Sequence, residues 1–450
     1  MVKNPEGRKA SKKPVAKRRS SGNSPKKRRG KSAEQILAAV AKYYLASGDF
    51  NGLPVRTLYK DDTTKALVRT TLRQLIDGGQ ITMEFGIRHI NPHIKALPPD
   101  PSQNEQLQEL AKNDLESVCA YPSPAVLATV VGSSECHDRP FTRRLMLGEA
   151  QLAFHAFDLS VLELYRNDPR YYYTSDDIRG SISIHDAFYQ HAQMHERDRV
   201  LLQTFGFGYD ESLNRAVMVF TRYLHDLSPE HQQIWNAKRL NGSYKLHPDY
   251  YRNAIVGAWG TKLSLFQAFL EELKHINAMA KLIGKPALFR NEFEERPRGF
   301  SFLVRPTTKE FNDFVLLLDQ TMSDNLNKDF FRGDIDLESE TTRPDGKIVI
   351  AQKGTIQLLE QWFQKKMRFS DPQPFNDMLA IFREVRKARQ HPAHTAEDSI
   401  FDQKIFKDQR ELAVRAYDAV RTIRLMLANH PAVRDYKVPE KLFKGEIWTY

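Results

Sequence analysis

Phe382-Arg-Glu-Val-Arg386-Lys387-Ala-Arg389-Gln390-His391-Pro392-Ala393-His394 gathers cations and two histidines where a run of helix-forming residues stops at a proline. Arginine grips a phosphate through a planar fork of donors, and histidine titrates near neutral pH. Arg389 and His394 stand five apart across this helix end, so both groups can meet one phosphodiester. The same spacing recurs one turn earlier in Arg386 and His391, which gives a rival register. Cations at a helix C-terminus also complement the helix dipole, a purely structural use.

Other candidates are poorer. No GxxxxGK phosphate loop and no GxGxxG turn occurs. His191 and His195 lie four apart beside Glu196, but no third ligand is evident, so no metal site and no cofactor is expected. Cys119 and the Cys136-His137 pair fit no zinc spacing and read as two buried thiols. Asp176-Asp177 after Tyr171-Tyr172-Tyr173 reads as a solvated acidic turn closing an aromatic strand.

The 450 residues carry a formal charge of +11, unevenly placed. Residues 1–32 hold thirteen Lys/Arg and one acid, which leaves a net of −1 on the other 418. That segment has almost no apolar side chains and is expected to be disordered. Its clusters include Lys17-Arg18-Arg19 and Lys26-Lys27-Arg28-Arg29, an electrostatic arm suited to RNA or DNA. The body must therefore contact nucleic acid through specific sites, not bulk charge. No apolar run reaches the length of a membrane span, and there is no apolar leader. Two cysteines make no disulfide framework, so a reducing cytoplasm is the expected setting.

Several elements must position these residues. Ser32-Ala-Glu-Gln35 is a capping box for a first helix. A short helix over Val55–Leu58 follows, then one with Leu67, Val68, Leu72, Leu75 and Ile76 at helical spacing, ended by Gly78-Gly79. Two strands are expected next, at 81–85 and 89–94. Three helices and a hairpin over 33–97 resemble a winged helix-turn-helix. That resemblance implies a recognition helix presenting Lys65, Arg69, Thr70 and Arg73 outward to DNA, with protein contact as the other use. Residues 98–116 read as a linker. Residues 117–305 read as a mixed α/β domain, with strands in its first half and one helix over Tyr209–Leu227.

From Thr307 four amphipathic helices are expected. The first begins at the capping box Thr307–Glu310 and runs to about Phe331. A hairpin turning at Asp345-Gly346 precedes the second, which carries Ile356, Leu359, Trp362 and Phe363. The third runs from Pro374 to Pro392, and the fourth from about Asp402 to Asn429. Together they predict an antiparallel four-helix bundle over 306–432, followed by a tail at 433–450. The fold class is thus multidomain, mainly α with an α/β middle.

At the end of the third bundle helix, Arg389-Gln390-His391-Pro392-Ala393-His394 resembles the signature of HEPN domains, an arginine and a histidine with four to six residues between. Arg389 would match the arginine, Gln390 the following polar residue, and the Ala393-His394 ending favours this register over Arg386 and His391. The resemblance implies metal-independent RNA cleavage. The RNA 2′-hydroxyl attacks phosphorus, a histidine serves as acid or base, and the arginine neutralises charge on the phosphoryl oxygens. It also implies a composite site built by a homodimer, a 2′,3′-cyclic phosphate product and no cleavage of DNA. A toxin or a stress or phage-defence effector, held by an antitoxin or gated by the middle domain, fits that chemistry. The alternative is a non-catalytic nucleic-acid-binding regulator in which the bundle only dimerises.

Overall fold

The structure is a computed structural model that describes residues 31–86, 91–95, 100–190, 195–342, 348–390 and 400–450. The chain is mixed α/β and divides into two compact units. The basic clusters at 17–19 and 26–29, together with His191, His391 and His394, lie outside the described residues.

The first unit comprises 51–93 and 101–123 with the helix before them. Helix α1 (Ala33–Ala46) opens as expected: Gln35 N donates to Ser32 Oγ at 3.3 Å, and Ser32 N donates to Gln35 Oε1 at 3.0 Å. Strand β1 (Leu53–Pro54) precedes a 3-10 turn over Val55–Leu58. Helix α2 (Asp62–Asp77) is capped by Asp61, which accepts from Thr64 N at 2.9 Å, and it ends at Gly78 and the left-handed Gly79. Strand β2 (Ile81–Phe85) follows. Of the strand expected at 89–94, residues 89 and 90 lie outside the described ones, and 91–94 form a turn, not a strand. Residues 98–116 are no mere linker either, since they contain helix α3 (Gln103–Lys112), capped by a Ser102–Glu105 box. The pairing strand is β3 (Val118–Pro122), which lies between β1 and β2, antiparallel to both. Val118-Cys-Ala-Tyr-Pro122 is buried throughout, so it makes a central strand that no alternating pattern announces. Residues 117–123 therefore belong to this unit and not to the middle domain.

The second unit begins its sheet with β4 (Phe154–Phe157), β5 (Tyr171–Ser175), β6 (Arg179–Ile184), β7 (Leu201–Tyr209) and β8 (Arg215–Phe220), in the order β4-β8-β7-β6-β5. All pairs are antiparallel, and the short β9 (Lys245–Leu246) adds to β7. The single helix expected over Tyr209–Leu227 is absent. Asp210 Oδ1 accepts from Ser212 N and Asn214 N and turns the chain, and the buried Ala216-Val-Met-Val-Phe220 runs on as a strand. In the half expected to hold strands, the apolar run Ala125–Val131 is mostly a short helix (Pro124–Val130). Gly206 is needed where it stands, because a Cβ there would meet the Tyr250 ring at 2.4 Å.

Strand β10 (Leu263–Ser264) leads into helix α4 (Leu265–Leu282), capped by Ser264 and ended before the left-handed Gly284. Helix α5 spans Thr308–Thr321, strands β11 (Glu338–Thr342) and β12 (Ile348–Gln352) form a ribbon, and helices α6 (Thr355–Lys366), α7 (Gln373–Gln390) and α8 (Gln403–Ala428) follow. The predicted first bundle helix stops ten residues early, at Thr321, and a separate turn of helix covers Lys328–Phe331. Its capping box is half made: Thr307 accepts from Glu310 N at 3.4 Å, while Glu310 turns to Arg166 at 2.8 Å.

One apolar core joins α4 to α8, so the boundary expected at 306 cuts through packed structure. Helix α4 lies along α8, and α7 packs on α5, α6 and α8. Between α4 and α8 the buried Glu272 meets Arg424 at 3.2 Å and the Tyr417 hydroxyl at 3.4 Å. The tail does pack back: β13 (Ile447–Trp448) runs parallel to β10, and the Tyr436 hydroxyl meets His275 Nδ1 at 2.7 Å. Among the described residues no helix is long and apolar enough to cross a membrane.

Candidate active site

Arg386 and Arg389 stand three apart on α7, so their side chains share one face of its last turn. Both reach the end of α5. Arg386 Nε lies 3.2 Å from Asp319 Oδ1, and its Nη2 lies 2.6 Å from Asp324 Oδ1 and 2.9 Å from Ser323 Oγ. Arg389 Nη1 meets Asp319 Oδ2 at 2.7 Å and also Asp324 Oδ2. Ser323 donates its hydroxyl to Asp319.

The two carboxylates differ in kind. Asp319 is completely buried, whereas the Asp324 side chain keeps 36% of its surface open. The arginines are about one-third exposed, with Arg389 at 33%. Asp319 and Asp324 hold the Arg389 guanidinium charged, with its pKa raised above the ordinary arginine value. Two cations and two anions make the cluster neutral as a whole. Only Nη1 of Arg389 is engaged among the described residues, which leaves its Nε–Nη2 edge for a planar acceptor. Gln390, the last residue of α7, is exposed. His394 and His391 follow within five residues, outside the described ones.

Sequence reasoning missed Asp319, Ser323 and Asp324. The signal was an acid on an apolar stripe: Phe314, Val315, Leu318 and Met322 mark the buried face of α5, and Asp319 falls among them. A carboxylate there requires a cationic partner.

The proposed recognition helix fares differently from its expectation. Lys65 is paired with Asp114 at 2.6 Å, and Arg69 donates to the carbonyls of Leu110, Ala111 and Asn113 at the end of α3. Arg69 thus caps a neighbouring helix and Lys65 is tied to the acid just beyond it, so neither is presented outward. Thr70 returns its hydroxyl to Ala66 O at 3.1 Å, and Arg73 remains exposed. Cys119 is buried beside His93 Nδ1 at 3.7 Å, and burial pushes its thiol up to about 12, so it is no nucleophile at neutral pH. Cys136 is only half-buried, contrary to the reading of two buried thiols. Asp177, expected in a solvated turn, is 3% exposed. The turn tucks it under the sheet, where Arg296 pairs with it and Arg215 donates to its carbonyl at 3.2 Å.

Comparison with family models, with curated proteins and with solved structures gives no match to any of them.

Proposed function

We propose that the chain is a metal-independent endoribonuclease of the HEPN type, acting as a homodimer with α5 to α8 as its bundle. The observation that supports this reading is the Nε–Nη2 edge of Arg389, unengaged among the described residues and five positions before His394 in the sequence. In the proposed reaction that edge binds the non-bridging oxygens of a phosphodiester. His394 from one or both protomers moves the proton from the 2′-hydroxyl or to the leaving 5′-oxygen. Gln390 orients the phosphate as a neutral donor. Asp319 is a positioning residue: completely buried, it holds both guanidiniums. A phosphate on that edge lies beside the exposed Asp324 and leaves both carboxylates on Nη1. The basic tail and the exposed Arg73 of a winged-helix-like first unit bring nucleic acid, RNA first and DNA second. An effector role as a toxin or in stress or phage defence, under an antitoxin or another regulator, follows from that activity.

A second reading has its own support. Asp319 and Asp324 already balance both arginines, which suits a bundle that only dimerises in a non-catalytic nucleic-acid regulator. Incubating RNA with the purified protein in EDTA separates the two. The enzyme reading expects cleavage that disappears in Arg389→Ala and in His394→Ala; intact RNA with the wild-type dimer supports the regulator.

A further inference from the structure

A cavity of about 420 Å³ opens at the β4 edge of the sheet, within the size range of small-molecule sites. Arg144 reaches it from the short helix Pro140–Met146, and Arg239 from the loop that follows the helix Pro229–Ala237. The floor is apolar. Ala156 and Met218 pair across β4 and β8, and Leu240 and the Phe154 and Tyr244 rings pack against them. The walls carry donors: besides the two arginines they hold Asn241 and Ser243, both exposed. Among the described residues no carboxylate lines this cavity.

One acid does meet these cations, and it is saturated. Glu149 accepts from Arg144 Nη1 at 3.1 Å and from Thr221 Oγ1 at 2.7 Å, and it stands 2.7 Å from His155 Nε2. Burial raises its pKa, but His155, Thr221 and Arg144 outweigh burial and hold the carboxyl down at about 2, so it is an anion at neutral pH. A single anion balances a single cation. Arg144 gives it only Nη1; the side chain is about one-third exposed, and its Nε and Nη2 are unengaged among the described residues. Arg239 is half-buried and makes no ion pair and no side-chain hydrogen bond among the described residues. A guanidinium partly withdrawn from water has lost hydration without gaining a counter-charge, and an anionic ligand would supply one.

The donors also select the anion. Two guanidinium forks, an amide and a hydroxyl suit the three terminal oxygens and double charge of a phosphate monoester better than the two oxygens of a carboxylate. The apolar floor offers nothing to a bare phosphate but can bury the organic body of an ester.

We propose that this cavity binds a small phosphate monoester, with its phosphate on Arg144 and Arg239 and an aromatic or apolar body on the floor beside Phe154 and Tyr244. The site shares no residue with the Arg389 cluster and does not rest on the nuclease reading.

Adenosine 5′-monophosphate is the probe. Calorimetric titration into the full-length protein is expected to give saturable binding with a Kd below about 1 mM. Adenosine, which has the body without the phosphate, is expected to give none. Arg239→Gln and Arg144→Gln are each expected to weaken binding at least about tenfold, while Arg389→Ala leaves it unchanged. Circular dichroism checks that the variants fold; if Arg144→Gln, which also loses its Glu149 pair, does not, Arg239→Gln decides. The inference is overturned if the monophosphate shows no saturable heat, if adenosine binds as tightly, if folded Arg239→Gln binds as tightly as wild type, or if Arg389→Ala abolishes the binding.

Discussion

In the proposed reaction Arg389 can serve only because Asp319 and Asp324 differ. Replacing the buried Asp319 with Ala leaves two guanidiniums facing a pocket built for a carboxylate, with Ser323 also deprived of its acceptor. The expected loss is about 2–4 kcal/mol of unfolding free energy, read as a lower denaturant midpoint. Asp324 is half open to water, so Asp324→Asn is expected to cost under about 1 kcal/mol. If RNA phosphate binds beside Asp324, that same variant, lacking the repelling charge, binds RNA more tightly at low salt, measured by fluorescence anisotropy. Equal affinity in wild type and Asp324→Asn would argue that the phosphate does not enter there. The two registers separate at this scale too. Arg386 gives both Nε and Nη2 to Asp319, Ser323 and Asp324, so it has no free fork, and that favours Arg389 as the phosphate ligand.

Local chemistry made some elements readable and hid others. The helix starts at Ser32 and Thr307 and the stops at Gly78-Gly79 and Gly284 follow from caps and glycines a few residues away. β3 was hidden because its pairing is set by partners at Leu53 and Ile81, far off in the chain. The Arg386–Arg389 pair was legible as helix-end cations, but its carboxylate clamp depends on a turn some sixty residues earlier. Arg69 shows the same limit: its spacing on α2 suggested DNA, and tertiary structure directs it to the end of α3. Arg69→Ala is therefore expected to destabilise the first unit by about 1–3 kcal/mol. Arg73→Glu should leave stability unchanged and weaken duplex binding; unchanged binding would reassign the unit to protein contact. His247 joins the sheet to the C-terminal tail, with its ring against Trp448 and Tyr450. Burial lowers its pKa from 6.5 to about 4, so the unfolded chain takes up the proton first. Stability from this group is present above pH about 6.5 and is lost as pH falls toward 4, by about 3 kcal/mol in all. His247→Gln is expected to flatten thermal stability against pH across that window.

At the scale of the molecule, charge and chemistry are kept apart. The basic arm carries the net positive charge, while the remaining chain is close to neutral. Binding of nucleic acid through the arm is therefore expected to fall steeply with salt. Cleavage by a preformed Arg389 site is expected to fall less, because its guanidinium is held before substrate arrives. A composite site requires two copies, so sedimentation is expected to give twice the 52.0 kDa chain mass. The central claim is tested most directly by the end groups of RNA incubated with the protein in EDTA. The account predicts 2′,3′-cyclic phosphate ends from the wild-type protein and none from Arg389→Ala or His394→Ala. Intact RNA with the wild-type dimer, or the same ends from both variants, would contradict it.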